Sequence, residues 1–163
     1  DVLPRVLATR NVRLVALGSG ESSLEDFFTR LERAFPDKAR FVNRYDDGAA
    51  HQIEAGSDVF LMPSLFEPCG LNQMYSLKYG TVPIVRRTGG LADTVRLWDP
   101  DARTGTGIVF DHFTRDGFAW AVDAALELWP DQDAWRTLQR NGMAQDFSWT
   151  KQIDKYLALY RSL

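Results

Sequence analysis

Apolar and polar positions along this chain follow two different periods. Short runs rich in β-branched residues predict strands, and the segments between them carry the i, i+3, i+4, i+7 spacing of a helix with one buried face. Leu24–Phe35 shows this helical spacing, and we expect Ser22 or Ser23 to cap it. The predicted strands are Val12–Leu17, Arg40–Asn43, Asp58–Met62, Val82–Val85 and Gly107–Phe110.

A helical tail is predicted after the last strand. Breaks at Trp129-Pro130 and from Gly142 to Trp149 divide it, and we expect the tail to wrap over the sheet. Strands that alternate with helices predict an α/β fold with a doubly wound parallel sheet and helices on both faces. The predicted tail helices are Arg115–Leu128, Gln132–Asn141 and Thr150–Leu163.

Composition limits the possible partners. A chain of 163 residues with 45% hydrophobic content can bury one sizeable core, so we expect residues 1–163 to form a single domain. A net charge of −3 with mixed signs argues against nucleic acid, and no apolar run is long enough to suggest a membrane partner. Cys69 is the only cysteine and there are two histidines, so we expect no metal site.

The candidate chemistry follows the third predicted strand. Phe66–Gln73 combines a carboxylate, Glu67, with turn residues and the start of a helix, whose free N–H groups can hold a phosphate-bearing, polyhydroxylated ligand. Ligands of open α/β sheets bind beyond the carboxyl ends of the strands. We expect three more strand-end loops to share this rim, namely Gly18–Glu21, Arg44–Gly48 and Arg86–Leu91.

The segment from Met62 to Val95 contains the strings PSLFEPCGLNQ, KYGTVP and RTGGLADTV. These strings closely resemble those of bacterial glycogen synthases and plant starch synthases. The resemblance continues through Thr106–Asp111 and Met143–Trp149 to Tyr156–Tyr160, so it covers nearly the whole chain.

This resemblance implies a Rossmann-like fold, the C-terminal half of a two-Rossmann (GT-B) glycosyltransferase. It implies the donor-binding domain of a retaining enzyme that transfers glucose from ADP-glucose to the non-reducing end of an α-1,4-glucan. The implied partners are ADP-glucose or ADP, the glucan acceptor and an N-terminal Rossmann domain, with no separate cofactor. The implied location is the bacterial cytoplasm, or the plastid if the source is a plant.

The resemblance also implies roles for individual residues. Glu67 becomes the acidic catalytic residue beside the transferred glucose, and Tyr45 is expected to stack on the nucleobase. Tyr75 stands where related retaining transferases have a second Glu, a departure shared by starch and glycogen synthases. The implied donor-binding residues are Gly18, Tyr45, Cys69, Gly70, Leu71, Asn72, Thr88, Gly89 and Gly90.

Several of these positions have a second interpretation. Gly18-Ser19-Gly20 fits a phosphate-binding turn and a simple strand-to-helix turn equally well. The glycines of Thr88-Gly89-Gly90 serve either a positive φ or a close approach to ligand, and the resemblance favours the ligand. We expect Cys69 to pack as a small hydrophobe that also offers a backbone contact.

Other polar residues have more ordinary expected roles. We expect Arg86 and Arg87 to be solvated or ion-paired rather than to bind the donor phosphates, and His51 to make a structural hydrogen bond.

The start of the chain departs from the family pattern. The family carries a phosphate-binding Arg and Lys on a strand and loop before its first helix, whereas Asp1–Thr9 corresponds to that helix itself. We therefore expect a missing first strand, either an exposed sheet edge or an unpaired core face, and no glucan synthesis by the chain alone. Two alternatives remain open, a non-catalytic nucleotide- or glucan-binding module and a UDP-glucose-dependent retaining transferase.

Overall fold

The computed structural model describes residues 2–163, apart from the side chain of Lys155; Asp1, in the predicted opening helix, lies outside the described residues. The strands are β1 (Leu14–Leu17), β2 (Ala39–Val42), β3 (Val59–Met62), β4 (Val82–Arg86) and β5 (Ile108–Phe110). The helices are α1 (Val2–Thr9), α2 (Ser22–Ala34), α3 (Asp47–Gly56), α4 (Asn72–Tyr79), α5 (Gly89–Thr94), α6 (Arg115–Leu128), α7 (Gln132–Met143) and α8 (Trp149–Arg161).

All strand pairs are parallel, which confirms the predicted α/β fold class. They form two sheets, one of β1 and β2 and one in the order β3-β4-β5. Among the described residues no ladder joins β1 to β3, so the expected single sheet is divided at this point. Within the part of the chain that the structure describes, β1 pairs only with β2 and β3 only with β4, so each of these strands has an edge without a partner strand. Val15 on β1 is also 46% exposed, and every residue of β3 is only half-buried.

The three-stranded sheet carries helices on both faces, because successive side chains of its strands point to opposite faces and in β4 both sets are buried. Val82 and Ile84 of β4 pack into a cluster with Trp135 of α7 and Ala121 of α6. Val85, one residue further, packs on the opposite face in a second cluster. That second cluster also contains Leu77, Leu91, Val95 and Val109. This two-sided burial fixes β4, whose carboxyl end leads into the candidate site.

The expected serine cap of α2 is wrong. The helix begins at Ser22, its N-cap is Glu21, and no side chain accepts a hydrogen bond in the cap position. Ser23 Oγ instead donates to the Glu21 carboxylate at 2.6 Å. An N-cap must lie just outside the helix, and both serines lie inside it.

The helical tail packs only in part. α6 and α7 contribute buried residues to the core, as expected of a tail that wraps over the sheet. None of the described side chains of α8 is buried, so the expected wrap is wrong for this helix. Its apolar residues recur at helical spacing and remain exposed, at Trp149, Ile153, Tyr156 and Tyr160.

Candidate functional site

Glu67 lies in the loop of residues 63–71, which connects β3 to α4. Its side chain is half-buried, and its carboxylate makes no hydrogen bond or ion pair with any described residue. A carboxylate in this condition is free to accept hydrogen bonds from a ligand.

The backbone of this loop is held by side chains and backbone from neighbouring elements. Arg86, at the end of β4, donates from Nε to Ser64 O at 2.8 Å and from a second guanidinium nitrogen to Leu65 O. The Gly90 N–H donates to Glu67 O at 3.1 Å. Gln73 Nε2 donates to Cys69 O and to Gly70 O, each at 3.0 Å. We call Arg86, Gly90 and Gln73 the loop clasp.

The two adjacent glycines lie against the Glu67 loop itself. A Cβ added at Gly89, where φ is +41°, would lie 2.0 Å from Glu67 O, and one added at Gly90 would lie 2.0 Å from Cys69 O. The close approach that these glycines permit is therefore to the loop backbone. The expected approach of Thr88, Gly89 and Gly90 to a ligand stays a prediction.

Gln73 fastens the end of the loop that leads into α4. Its side chain is fully buried, and its Nε2 also lies 3.2 Å from Thr94 Oγ1 on α5. Gly70 adopts φ +72°, and a Cβ there would lie 2.4 Å from Gln73 Oε1. Sequence reasoning missed Gln73, Arg86 and Thr94 as supports of the site. Gln73 stands inside the recognised string, but no local pattern indicates that it bonds to Thr94.

The N-terminus of α4 presents unused hydrogen-bond donors. Leu71 is the N-cap residue and offers no side-chain cap, and both Leu71 and Asn72 are exposed. No described residue accepts a hydrogen bond from the N–H groups of Leu71, Asn72 or Gln73. Free N–H groups at the positive end of a helix dipole form a ready site for an anion.

Cys69 is exposed, so the expectation that it packs as a buried hydrophobe is wrong. The tight loop before α4 turns its side chain outward, and its Sγ lies 3.5 Å from Gly70 O. Its backbone carbonyl is held by Gln73, so Cys69 serves the loop through the main chain.

The turn after β1 is already occupied by a carboxylate. Glu25 accepts a hydrogen bond from Gly20 N at 2.8 Å and another from Asn43 Nδ2 at 2.9 Å. The Gly20 N–H and then the Asn43 amide lower the pKa of Glu25. Gly18, with φ +154°, has no atom within 4 Å of an added Cβ, so backbone conformation alone requires glycine there. A donor-lining role for Gly18 stays a prediction.

Tyr45 is 86% exposed on the loop after β2. Arg44 and Asp46 on either side of it form an ion pair at 2.8 Å. Asp46 also caps α3 by accepting from Ala49 N, and this bond and then Arg44 lower its pKa. The loop is thereby anchored while the tyrosine ring stays open for stacking. No described contact joins Tyr45 to the Glu67 loop.

His51 on α3 makes the structural hydrogen bond expected of it. Its Nδ1 lies 3.3 Å from Tyr79 Oη, and its ring meets Tyr75 edge to face with centroids 5.3 Å apart. Beside it, Glu54 is 3% exposed and its Oε2 has no hydrogen-bond partner. Burial raises the pKa of the Glu54 carboxyl above its ordinary value of 4.5, although nearby His51 works in the opposite direction.

Glu54→Gln is expected to make the chain more stable at neutral pH. The protonated carboxyl of Glu54 favours folding below pH 4.5, and this contribution is lost as pH rises through its raised folded pKa. Glutamine stays neutral, so at pH 8 the variant should gain about 1 kcal/mol, a Tm increase of about 3 °C. The measurement is thermal unfolding from pH 4 to pH 8. Glu127→Gln, at an exposed position of α6, is the control and should show no such trend. A gain that does not grow with pH would contradict the prediction.

The two arginines at the end of β4 differ. Arg87 Nε donates to Asp111 Oδ1 at 2.6 Å, so the expected ion pair is confirmed for Arg87. Arg86 forms no ion pair with a described carboxylate and is held by loop carbonyls instead. For Arg86 the expectation of a solvated or ion-paired side chain is therefore wrong.

Several candidate site residues are exposed at the surface, namely Tyr45, Cys69, Leu71 and Asn72. A cavity of about 380 Å³ with mostly apolar walls is lined by Val2, Leu3, Phe27, Pro63, Phe110, Phe113, Thr114, Arg115 and Phe118. No candidate site residue lines it.

Within residues 2–163, no group of three or more His, Cys, Asp or Glu residues is placed to hold a metal ion. No helix in the same range has the length and apolar character needed to cross a membrane.

Comparisons with known proteins agree on the family. The family described as glycosyl transferases group 1 matches residues 1–141. The chain is 53% identical over 161 residues to a glycogen synthase of Anaeromyxobacter dehalogenans strain 2CP-1, covering 99% of this chain and 33% of the relative. It is 51% identical over 154 residues to a glycogen synthase of Koribacter versatilis, covering 94% and 32%.

A solved structure supports the same assignment. The catalytic domain of starch synthase IV from Arabidopsis thaliana, bound to ADP and acarbose, superposes with a TM-score of 0.81 at 29% identity. The match covers 98% of this chain and 41% of that structure, and the chain spans about a third of the length of the curated relatives. The chain therefore belongs to the group 1 glycosyl transferases, and its close sequence relatives there are bacterial glycogen synthases.

Proposed function

We propose that this chain is the donor-binding domain of a retaining glucosyltransferase. In this proposal glucose moves from ADP-glucose to the non-reducing end of an α-1,4-glucan. The curated relatives named glycogen synthase and the ADP-bound starch synthase structure support this choice of donor and product.

One observation supports the proposal most directly. The Glu67 carboxylate and the N–H groups at the start of α4 have no partners in the described part of the chain, and they lie on one continuous loop. The loop clasp donates hydrogen bonds to the carbonyl oxygens of this loop. The carboxylate and the N–H groups stay free, and these are the groups that a sugar-nucleotide donor needs. A diphosphate suits the amides, and sugar hydroxyls suit the carboxylate.

Each group has a distinct role in this proposal. The N–H groups of Leu71 and Asn72 bind the distal phosphate and counter the negative charge that grows on the departing ADP. Glu67 accepts hydrogen bonds from the glucose and favours the positive charge that develops at its anomeric carbon. Tyr45 stacks on the nucleobase, and stacking alone does not choose between bases.

We further propose that the chain needs polypeptide outside these 163 residues for activity. Arg87 is paired with Asp111 and Arg86 is held by loop carbonyls, so neither is available to stabilise a leaving diphosphate. An N-terminal Rossmann domain would supply cations and close the open surface against water. A parallel strand between β1 and β3 would join the two sheets. The bacterial relatives favour the cytoplasm as location.

ADP is expected to bind at the candidate site and UDP to bind more weakly. In a titration of the ¹⁵N-labelled chain, ADP should shift the backbone signals of Tyr45, Cys69–Asn72 and Thr88–Gly90. Tyr45→Ala should weaken ADP binding by about 1–3 kcal/mol, the contribution of one stacked base. Tyr160→Ala removes a tyrosine that is 70% exposed on α8 and should leave binding unchanged.

The titration also separates the alternatives. Equal responses to ADP and UDP would remove the support for an ADP-specific donor, and a stronger response to UDP would favour a UDP-glucose enzyme. No response to either nucleotide, or a response confined to other loops, would overturn the proposed site.

A further inference from the structure

Arg86 holds the part of the loop that leads directly to Glu67. Its two hydrogen bonds reach the carbonyls of Ser64 and Leu65, three and two residues before Glu67. The guanidinium group also lies over the Phe113 ring, 5.6 Å from its centroid. The arginine is therefore fixed from two sides, by a pair of carbonyls and by an aromatic face.

Arg87 shows that this arrangement does not follow simply from a cationic side chain at the end of β4. Its guanidinium pairs with Asp111, which is exposed, and it makes no described contact with the Glu67 loop. The chain thus places two adjacent arginines on different partners, and of these two only Arg86 bonds to the loop in the described part of the structure.

The loop clasp divides the site into two parts. Arg86 fastens the segment before Glu67, whereas Gln73 fastens Cys69 and Gly70 before the free N–H groups of α4. The Gly90 N–H holds Glu67 O between these two segments. Each end of the loop therefore has its own support.

We infer that Arg86 is a positioning residue that sets the Glu67 carboxylate for the sugar of the donor and leaves the phosphate-binding end to Gln73. The role of Arg86 toward the sugar rests on the proposed function, whereas its hydrogen bonds to the loop do not depend on that function. A planar guanidinium donates to two neighbouring carbonyls at once, whereas a lysine ammonium acts as a point charge and does not reproduce this fork.

The test compares the ¹⁵N-labelled wild-type chain with Arg86→Ala, Arg86→Lys and the control Arg87→Ala. Without ligand, Arg86→Ala should lower the backbone order parameters of Leu65, Phe66 and Glu67 from about 0.85 to 0.6 or less. With ligand, ADP should still shift Leu71 and Asn72 in this variant, but the additional shift of Glu67 caused by ADP-glucose should be lost. Arg86→Lys should behave like Arg86→Ala, and Arg87→Ala like the wild type.

The comparison of ADP with ADP-glucose distinguishes positioning from general stability. The inference is overturned if Arg86→Ala keeps wild-type order parameters, if it loses the ADP and the sugar responses together, or if Arg87→Ala has the same effects. If Arg86→Ala does not fold, Arg86→Lys decides by the same criteria. If the wild-type chain responds to neither ligand, the proposed function fails, and the order parameters still decide whether Arg86 holds the loop.

Discussion

Gly90→Ala is expected to destabilise the chain by about 3 kcal/mol because a methyl group has no space at this position. A Cβ at Gly90 would lie 2.0 Å from Cys69 O, and this neighbour is backbone that cannot change rotamer. The β4–α5 segment must therefore move away from the Glu67 loop, which breaks the hydrogen bond from Gly90 N–H to Glu67 O. Thermal unfolding should show a Tm decrease of about 10 °C, and ADP should no longer shift Leu71 and Asn72.

Gly56→Ala is the matched control for this prediction. Gly56 is the last residue of α3, it is exposed, and an added Cβ there meets no atom within 4 Å. Alanine is the better helix former, so this variant should gain about 0.5–1 kcal/mol and keep its response to ADP. A Gly90→Ala variant as stable as the wild type would mean that the loop and the glycine turn are not in close contact in solution.

Hydrophobic periodicity predicted the regular elements well because their signal is local. Helix α6 has the predicted bounds, Arg115–Leu128, and β5 begins one residue later than predicted. In both elements the apolar positions face the core, and their spacing can be read from residues that are close together in the sequence. The position of Glu67 beyond β3 followed in the same way, because parallel strands place their carboxyl ends on one edge.

The support of the site could not be predicted from local patterns. Arg86 bonds to Ser64 across 22 residues and Gln73 bonds to Thr94 across 21, and these contacts exist only after the strands and helices have packed. Nothing in the string Thr88-Gly89-Gly90 indicates that the Glu67 loop backbone approaches these glycines, and only tertiary packing shows this contact.

The tail shows a second limit of periodicity. α8 carries an apolar stripe, and α7 also carries apolar positions at helical spacing. Only α7 buries its stripe within the described residues, through Trp135 and Leu138. A periodic pattern predicts a helix and an apolar face, but it does not identify the surface on which that face packs.

Glu67→Gln is expected to lower glucosyl transfer by about 10²–10³-fold, the effect of removing one group that stabilises charge in a transition state. Glutamine keeps the size of the side chain but removes the negative charge that would face the anomeric carbon. The loop clasp bonds the main chain and not the Glu67 carboxylate, so the loop should keep its conformation. The assay uses the 163 residues grafted in place of the matching third of the Anaeromyxobacter dehalogenans glycogen synthase. The free chain serves as the blank because it is proposed to be inactive.

The experiment must distinguish a loss of glucosyl transfer from a loss of ADP binding. ADP should bind the Glu67→Gln graft as it binds the parent graft, because the N–H groups of α4 are unchanged. Glu127→Gln removes an exposed carboxylate on α6, outside the strand-end loops, and should leave both transfer and binding intact. Equal losses of transfer and of ADP binding in Glu67→Gln would assign Glu67 to the architecture of the loop. Transfer close to that of the parent graft would mean that another group carries the charge that this proposal gives to Glu67.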